Sequence, residues 1–260
     1  MPIEGIDSMR CNHCGLCINE CPRGNFSVNG VEKTITFDSS EGCILCGHCI
    51  AVCPERAIIS TGMDDIPFDF NESNLSISPQ DLNKLMLSKR SIRKYKNKKV
   101  PKEIIEKLIN CMRYAPTAMN KRSLKCLVIS DEQKINEFID SIIEAIEEDE
   151  EREMYKKKRE KGIDPFFYKA PHILILHSDN KWDITNATIA ITYAMLYAET
   201  LGLGSCWIGG VQIFLNENKE ISERVLDIKD KIFGIMILGY PLVKYYRSVS
   251  RPPIKTRFFF

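Results

Sequence analysis

Two copies of one cysteine pattern occupy the first 54 residues and constrain the fold of that stretch more than any other feature. Cys11, Cys14, Cys17 and Cys21 are followed by Pro22, and Cys43, Cys46, Cys49 and Cys53 by Pro54. Each copy reads C-x-x-C-x-x-C-x-x-x-C-P, and the second begins 32 residues after the first. A disulfide framework belongs to secreted chains. Residues 1–10 lack the basic start and apolar core of a signal peptide. Zinc ribbons use C-x-x-C pairs, but a third cysteine two residues on and a C-P ending do not suit separate tetrahedral sites. The doubled spacing favours iron–sulfur ligation.

The two runs resemble those of bacterial two-cluster ferredoxins. The resemblance implies two [4Fe–4S] clusters, with crossed ligand sets: Cys11, Cys14 and Cys17 with Cys53, and Cys43, Cys46 and Cys49 with Cys21. Two intervening residues wrap backbone around a cluster, and proline turns the chain away after the fourth ligand. Gly15 and Gly47, each just after the second cysteine of its run, allow close backbone approach. His13 and His48 lie between ligands and are expected as exposed loop residues. Val28–Phe37 is expected to form a hairpin with Asn29-Gly30 as its turn. A domain this small has little core, so bound metal should supply much of its stability. Thiolate-held clusters also imply a cytoplasmic location.

At 260 residues the chain suits two domains. We expect a ferredoxin-like domain over 1–59, a linker over 60–78 and a second domain over 79–260. The linker is polar and acidic, with Phe68, Phe70 and Leu75 as residues that would pin it. No apolar run approaches the roughly 20 residues that span a bilayer, so no membrane partner is expected. The formal charge of +1 argues against nucleic-acid binding. It hides an asymmetry. Residues 1–78 hold 4 Lys/Arg and 11 Asp/Glu, a net of −7, and residues 79–260 hold 32 and 24, a net of +8. Such halves suit docking or steering of a partner, or simple solubility.

From Ser78 the pattern becomes periodic. Ser78-Pro79-Gln80-Asp81 reads as a capped helix start, with Leu82, Leu85 and Met86 at helical spacing. A second helix follows Pro101, with Ile104, Ile105, Leu108, Ile109 and Met112 on one face. Cys126–Ser130 reads as a strand and Gln133–Ile146 as an amphipathic helix. Glu147–Lys161 is a charge run, expected as a solvated helix extension or a mobile segment without a catalytic role. Pro171–His177, Cys206–Ile208 and Ile232–Leu238 are short buried strands. His172 and His177 read as strand-end residues. Asp183–Leu201 is apolar nearly all round, which predicts a central buried helix, one that also suits a subunit interface. Cys111, Cys126 and Cys206 read as core residues. Continuous apolar strands alternating with helices predict a layered α/β or α+β fold.

Two stretches of this domain can carry chemistry. Lys89-Arg90-Ser91-Ile92-Arg93 at a helix end can grip a phosphate, or serve as a solvated basic turn. Gly202-Leu203-Gly204-Ser205-Cys206-Trp207-Ile208-Gly209-Gly210 fails as a dinucleotide fingerprint, because it leaves a helix and enters a strand. Its glycines can cap the long helix or let backbone approach a flat ligand.

KRSIRKY at 89–95, YAPTAMN at 114–120, GLGSCWIGG at 202–210 and LGYP at 238–241 resemble, in order, the nitroreductase family of FMN enzymes. The whole chain looks like a ferredoxin–nitroreductase fusion. The resemblance implies an α+β fold and a homodimer with FMN at the dimer interface. It puts Lys89, Arg90, Ser91 and Arg93 on the FMN phosphate and ribitol, and Asn120 on the flavin. It lays the backbone of Ile208, Gly209 and Gly210 against the ring, and adds Arg251 as a further phosphate contact. Arg122-Ser123-Leu124 departs from the family's usual Gln-Pro-Trp, so a changed substrate is open.

Cubane clusters pass single electrons, and a flavin converts them to pairs. The expected function is a flavin- and cluster-dependent oxidoreductase. It would take electrons from ferredoxin, another redox partner or NAD(P)H to a flat, electron-poor acceptor such as a nitroaromatic or quinone. No acid–base catalytic residue is expected. The alternatives are an electron-transfer protein serving a protein partner, or dehalogenation or flavin reduction on the same fold.

Overall fold

The structure is a computed structural model that describes residues 3–30, 33–62, 70 and 77–259. The chain forms two compact units. One holds Met1–Ser76 together with Ala118–Lys121, and the other holds Ile77–Thr117 and Arg122–Phe260. Most of the linker expected over 60–78, with Phe68 and Leu75, lies outside the described residues. Phe70 is exposed.

The first unit repeats one plan twice. Strand β1 (Ile3–Ile6) pairs antiparallel with β4 (Ile58–Ser60), and β2 (Phe26–Val28) with β3 (Ile35–Phe37). Short helices α1 (Leu16–Glu20) and α2 (His48–Val52) each follow a glycine, Gly15 at φ 73° and Gly47 at φ 76°. That left-handed turn is open to glycine at no steric cost, and it explains why glycine follows the second cysteine of each run. The expected hairpin is present, but it begins at Phe26. Its turn is longer than Asn29-Gly30, because Asn29 N–H donates to the Thr34 carbonyl at 2.8 Å and so prolongs the ladder past Val28. His13 lies in a loop, whereas His48 opens α2. The core is thin: Phe26, Ile35, Cys17 and Cys49 are buried, with Ile3, Ile6, Phe37 and Ile58 packed against them.

The second unit opens with α3 (Pro79–Ser88) and α4 (Lys102–Met112). Ser78 caps α3, its Oγ accepting from Asp81 N–H at 3.0 Å and donating to the Asp81 carboxylate at 2.7 Å. Then follow β5 (Lys125–Ile129), α5 (Glu132–Glu144), α6 (Asp149–Glu160), β6 (His172–Ser178), α7 (Asp183–Thr200) and β7 (Gly204–Trp207). Helices α8 (Gly209–Glu217) and α9 (Lys219–Leu226) lead into β8 (Lys231–Gly239). The strands form one antiparallel sheet in the order β5-β6-β8-β7. Antiparallel pairing resolves the layered expectation as α+β.

Both faces of this sheet are covered, which is why its strands read as unbroken apolar runs. Side chains alternate with period two. Ile173, Ile175, Ile235 and Ile237 join a core with Phe138, Ile139 and Ile142 of α5, Leu215 of α8 and Ile221 and Val225 of α9. Leu174, Leu176, Met236 and Leu238 join the opposite core with Leu108 of α4 and Ala187, Ala190, Ile191 and Ala194 of α7.

Helix α7 ends as its sequence suggests. Gly202 has φ 69°, and its N–H and that of Leu203 donate to the Glu199 and Ala198 carbonyls at 3.1 and 2.9 Å. The expectation that α7 is buried on all sides is corrected, since Ile184 is 55% and Tyr193 43% exposed. The charge run is also corrected. Helix α6 is a separate helix that folds back on α5. Arg159 donates to Asp140 at 2.8 Å and to Asn136 at 3.1 Å, and Lys156 pairs with Glu144 at 3.1 Å.

Candidate functional site

In the first unit, Cys11, Cys14, Cys17 and Cys53 line one cavity with Ile6, Ile35 and Ile58. Cys17 lies in the field of Cys11, Cys53 and Cys14, and Cys49 in that of Cys46, Cys21 and Cys43. Thus the fold gathers the two crossed sets that the ferredoxin resemblance implies. Burial, with the neighbouring sulfurs adding to it, raises the Cys17 thiol and pushes Cys49 up to about 11. Thiols that resist ionisation together are stabilised as thiolates only by a strongly cationic partner. Among the described residues no three His, Cys, Asp or Glu side chains close on a single-ion site. Four soft ligands spread around a cavity fit an iron–sulfur cube. Pro22 and Pro54 follow the fourth cysteines, and turns there carry the Gly24 and Arg56 N–H groups back to the Cys21 and Cys53 carbonyls.

In the second unit, the Lys89–Tyr95 segment runs along the sheet edge. Ile92 N–H donates to the Ser205 carbonyl at 3.0 Å, and Lys96 N–H to the Tyr240 carbonyl at 2.8 Å. Two glycines allow this. A Cβ on Gly204 would fall 2.6 Å from the Ile92 side chain, and one on Gly239 would fall 2.6 Å from Pro171 and 2.9 Å from Tyr95. The glycines of GLGS and LGYP therefore seat the basic segment.

Within that segment, Lys89 Nζ donates to the Arg90 carbonyl at 2.5 Å and to Ser205 at 3.2 Å, and Arg90 donates to the Lys89 carbonyl at 2.7 Å. Burial lowers the Lys89 pKa, opposed by nearby Glu199. Ser91 is exposed, and Arg93 lies over the Tyr168 ring at 5.7 Å.

Arg93, Ile208, Gly209 and Gly210 line one cleft of about 740 Å³ with Trp207, Tyr155, Phe166, Tyr168 and Phe214. The cleft rim also carries Glu147, Glu148 and Glu151 from the charge run that sequence reasoning set aside. The signal there was Tyr155, an aromatic residue inside a charged stretch. Lys89, Arg90 and Ser91 share Arg93's segment without lining the cleft. Arg251 is exposed in the extended tail after β8 and does not line it either. Asn120 belongs to the first unit, where its Nδ2 donates to the Ile44 and Leu45 carbonyls at 2.9 and 2.7 Å.

The Trp207–Gly210 wall and the aromatic sides of the cleft fit a flat ring such as that of FMN, whereas Glu147, Glu148, Glu151 and Glu217, against the single cation Arg93, do not suit a phosphate inside it. A Cβ on Gly210 would meet nothing within 4 Å, so its backbone presents an open face. That face belongs to the first turn of α8, whose leading N–H groups have no intrahelical partner and whose dipole favours negative charge. The volume lies within the usual range for ligand sites. Buried Ser205 Oγ has no hydrogen-bond partner among the described residues, beside the basic segment.

An antiparallel sheet sandwiched by helices, with a glycine-walled cleft at a helix N-terminus, defines an α+β cofactor-binding domain. Residues 86–240, more than half the chain, match the nitroreductase family, and the chain belongs to that family. Residues 10–57 match a 4Fe-4S dicluster domain. The chain is thus a nitroreductase-family oxidoreductase with a ferredoxin-type 4Fe-4S domain. A Methanothermobacter thermautotrophicus protein, whose name proposes an NADH dehydrogenase/NAD(P)H nitroreductase, is 26% identical over 64% of this chain and 80% of its own. The fold is shared with a Bacteroides fragilis nitroreductase solved with bound FMN (TM-score 0.55, 23% identity, 68% of this chain and 98% of that one). It is also shared with a Bacillus cereus nitroreductase-like protein (TM-score 0.56, 20% identity, 68% and 94%).

Proposed function

We propose that the chain is an FMN- and cluster-dependent reductase. It takes electrons from a one-electron donor protein or NAD(P)H and delivers them to a flat, electron-poor small molecule such as a nitroaromatic or quinone. The observation that carries this reading is the union, in one chain, of an eight-cysteine ferredoxin-type unit and a nitroreductase fold with an aromatic, glycine-walled cleft.

Cys11, Cys14, Cys17 and Cys53 would hold one [4Fe–4S] cluster, and Cys43, Cys46, Cys49 and Cys21 the other. Lys89, Arg90, Ser91 and Arg93 would hold the FMN phosphate and ribitol, and Ile208–Gly210 would face the ring. When bound, the clusters supply single electrons and FMN supplies conversion between one- and two-electron chemistry. The chain's residues bind and orient. The α8 N-terminus stabilises negative charge beside Gly209 and Gly210. Tyr155, Phe166, Tyr168 and Phe214 give a flat molecule aromatic walls to stack against. A homodimer fits the exposed Ile184 and Tyr193 of α7, and thiolate-held clusters fit the cytoplasm. The name of the M. thermautotrophicus relative supports NAD(P)H as one donor.

The test is anaerobic reduction of the bound flavin by reduced ferredoxin and by NAD(P)H, compared by rate, followed by turnover of an added nitroaromatic. Reduction with steady turnover supports the reductase. Reduction without turnover of any nitroaromatic or quinone makes the chain a carrier instead.

A further inference from the structure

The loops that open the two cysteine runs are held in different ways. In the first, Asn12 does the holding from within: its Oδ1 accepts from Cys14 N–H at 3.1 Å, and its Nδ2 donates to Glu55 at 3.0 Å. In the second, the corresponding residues are Ile44 and Leu45, whose side chains cannot hydrogen-bond. Their carbonyls instead accept from Asn120, 75 residues further along the chain, at 2.9 and 2.7 Å. An amide has two N–H donors, and Asn120 commits both to this loop. Both Met119 and Asn120 have positive φ, 55° and 51°, a conformation that asparagine tolerates and methionine rarely adopts. Leu45 is also left-handed, at φ 55°, and its N–H donates to Cys43 Sγ at 3.4 Å.

We propose that Asn120 is a positioning residue for the cluster of Cys43, Cys46, Cys49 and Cys21. By clamping the Ile44 and Leu45 carbonyls it holds the left-handed turn that aims Leu45 N–H at Cys43 Sγ. A hydrogen bond to a ligand sulfur favours the reduced, more negative cluster and raises its potential. In the first run the corresponding turn, at His13 with φ 61°, is held by Asn12 instead, so Asn120 bears on one cluster and not on the other. The proposal rests on the eight cysteines being cluster ligands, as read above.

The test is a redox titration of the full-length, anaerobically loaded protein, followed by electron paramagnetic resonance. The parent is compared with Asn120→Ala and with Asn120→Asp, which keeps the size and loses the donors. One couple, identified as the one that Cys46→Ser alters, should shift negative by about tenfold in its reduction equilibrium, or about 59 mV for one electron. The other couple should stay in place. If a variant loses iron, loss of half of it, with the first-run signal retained, supports the clamp, and equal loss from both sites overturns it. Two unmoved couples also overturn it, and weakened FMN binding in that case makes Asn120 a flavin ligand. A parent protein without two cluster signals defeats the ligand reading itself, and the clamp with it.

Discussion

Arg90 and Arg93 are the cations we propose for the FMN phosphate, and they sit on a segment pinned to the sheet edge by Ser205 and Tyr240. A charge-assisted hydrogen bond contributes roughly 1.5–3 kcal/mol, and about 1.4 kcal/mol is tenfold in affinity. Arg90→Ala or Arg93→Ala should therefore weaken FMN binding about ten- to a hundredfold in a fluorescence titration. Unchanged affinity in both would remove the segment from the site. His172 makes a second prediction. Its Nε2 accepts from Val100 N–H at 2.8 Å and its Nδ1 lies 2.6 Å from Ser130 Oγ, so the neutral ring ties two loops together. Burial, helped by Lys99, lowers its pKa from 6.5 to about 4. The unfolded chain binds this proton first, so stability is full above pH 6.5 and falls as the pH drops toward 4. The total is about 3 kcal/mol. Unfolding followed by the fluorescence of Trp182 and Trp207 should show this slope, and His172→Gln should flatten it.

The two cysteine runs and their elements interlock, because each fourth cysteine stands with the other run's set. Cys53→Ser should therefore damage the cluster of the first run, whose other ligands lie 36 or more residues away in sequence. Electron paramagnetic resonance and iron analysis will show which signal changes. Loss confined to the second-run signal would contradict the crossed sets. The doubled cysteine run was legible from spacing, its crossed sets only through the ferredoxin resemblance, and the Ser78 cap, the Gly202 helix end and the helical faces of α4 and α5 from their own sequence. These are local signals, set within a few residues of one another. What was not legible depends on distant neighbours. Gly204 and Gly239 are glycines because of Ile92, Pro171 and Tyr95. Apolar runs showed that the strands are covered on both faces, but not that they are antiparallel. Helices α8 and α9 were not anticipated. Asn120 bears a family motif position, yet its partners in this chain are carbonyls of the cysteine loop.

For the whole molecule, the open face of α7 is the feature that a single chain leaves unexplained. Ile184 and Tyr193 are exposed, with Thr185, Thr188 and Thr192, on a helix whose Ala187, Ala190, Ile191, Ala194 and Ala198 form core. If that face joins two copies, Tyr193→Arg should shift sedimentation toward the monomer and weaken FMN retention with it. An unchanged sedimentation profile would place the interface elsewhere. The central claim is that the ferredoxin-type unit feeds the flavin. The direct measurement is stopped-flow reduction of bound flavin by reduced ferredoxin, comparing the intact chain with Cys14→Ser/Cys46→Ser, a variant with a ligand missing from each set. The account predicts unchanged FMN content and flavin reduction slowed at least about tenfold. Equal rates in the two proteins would contradict it.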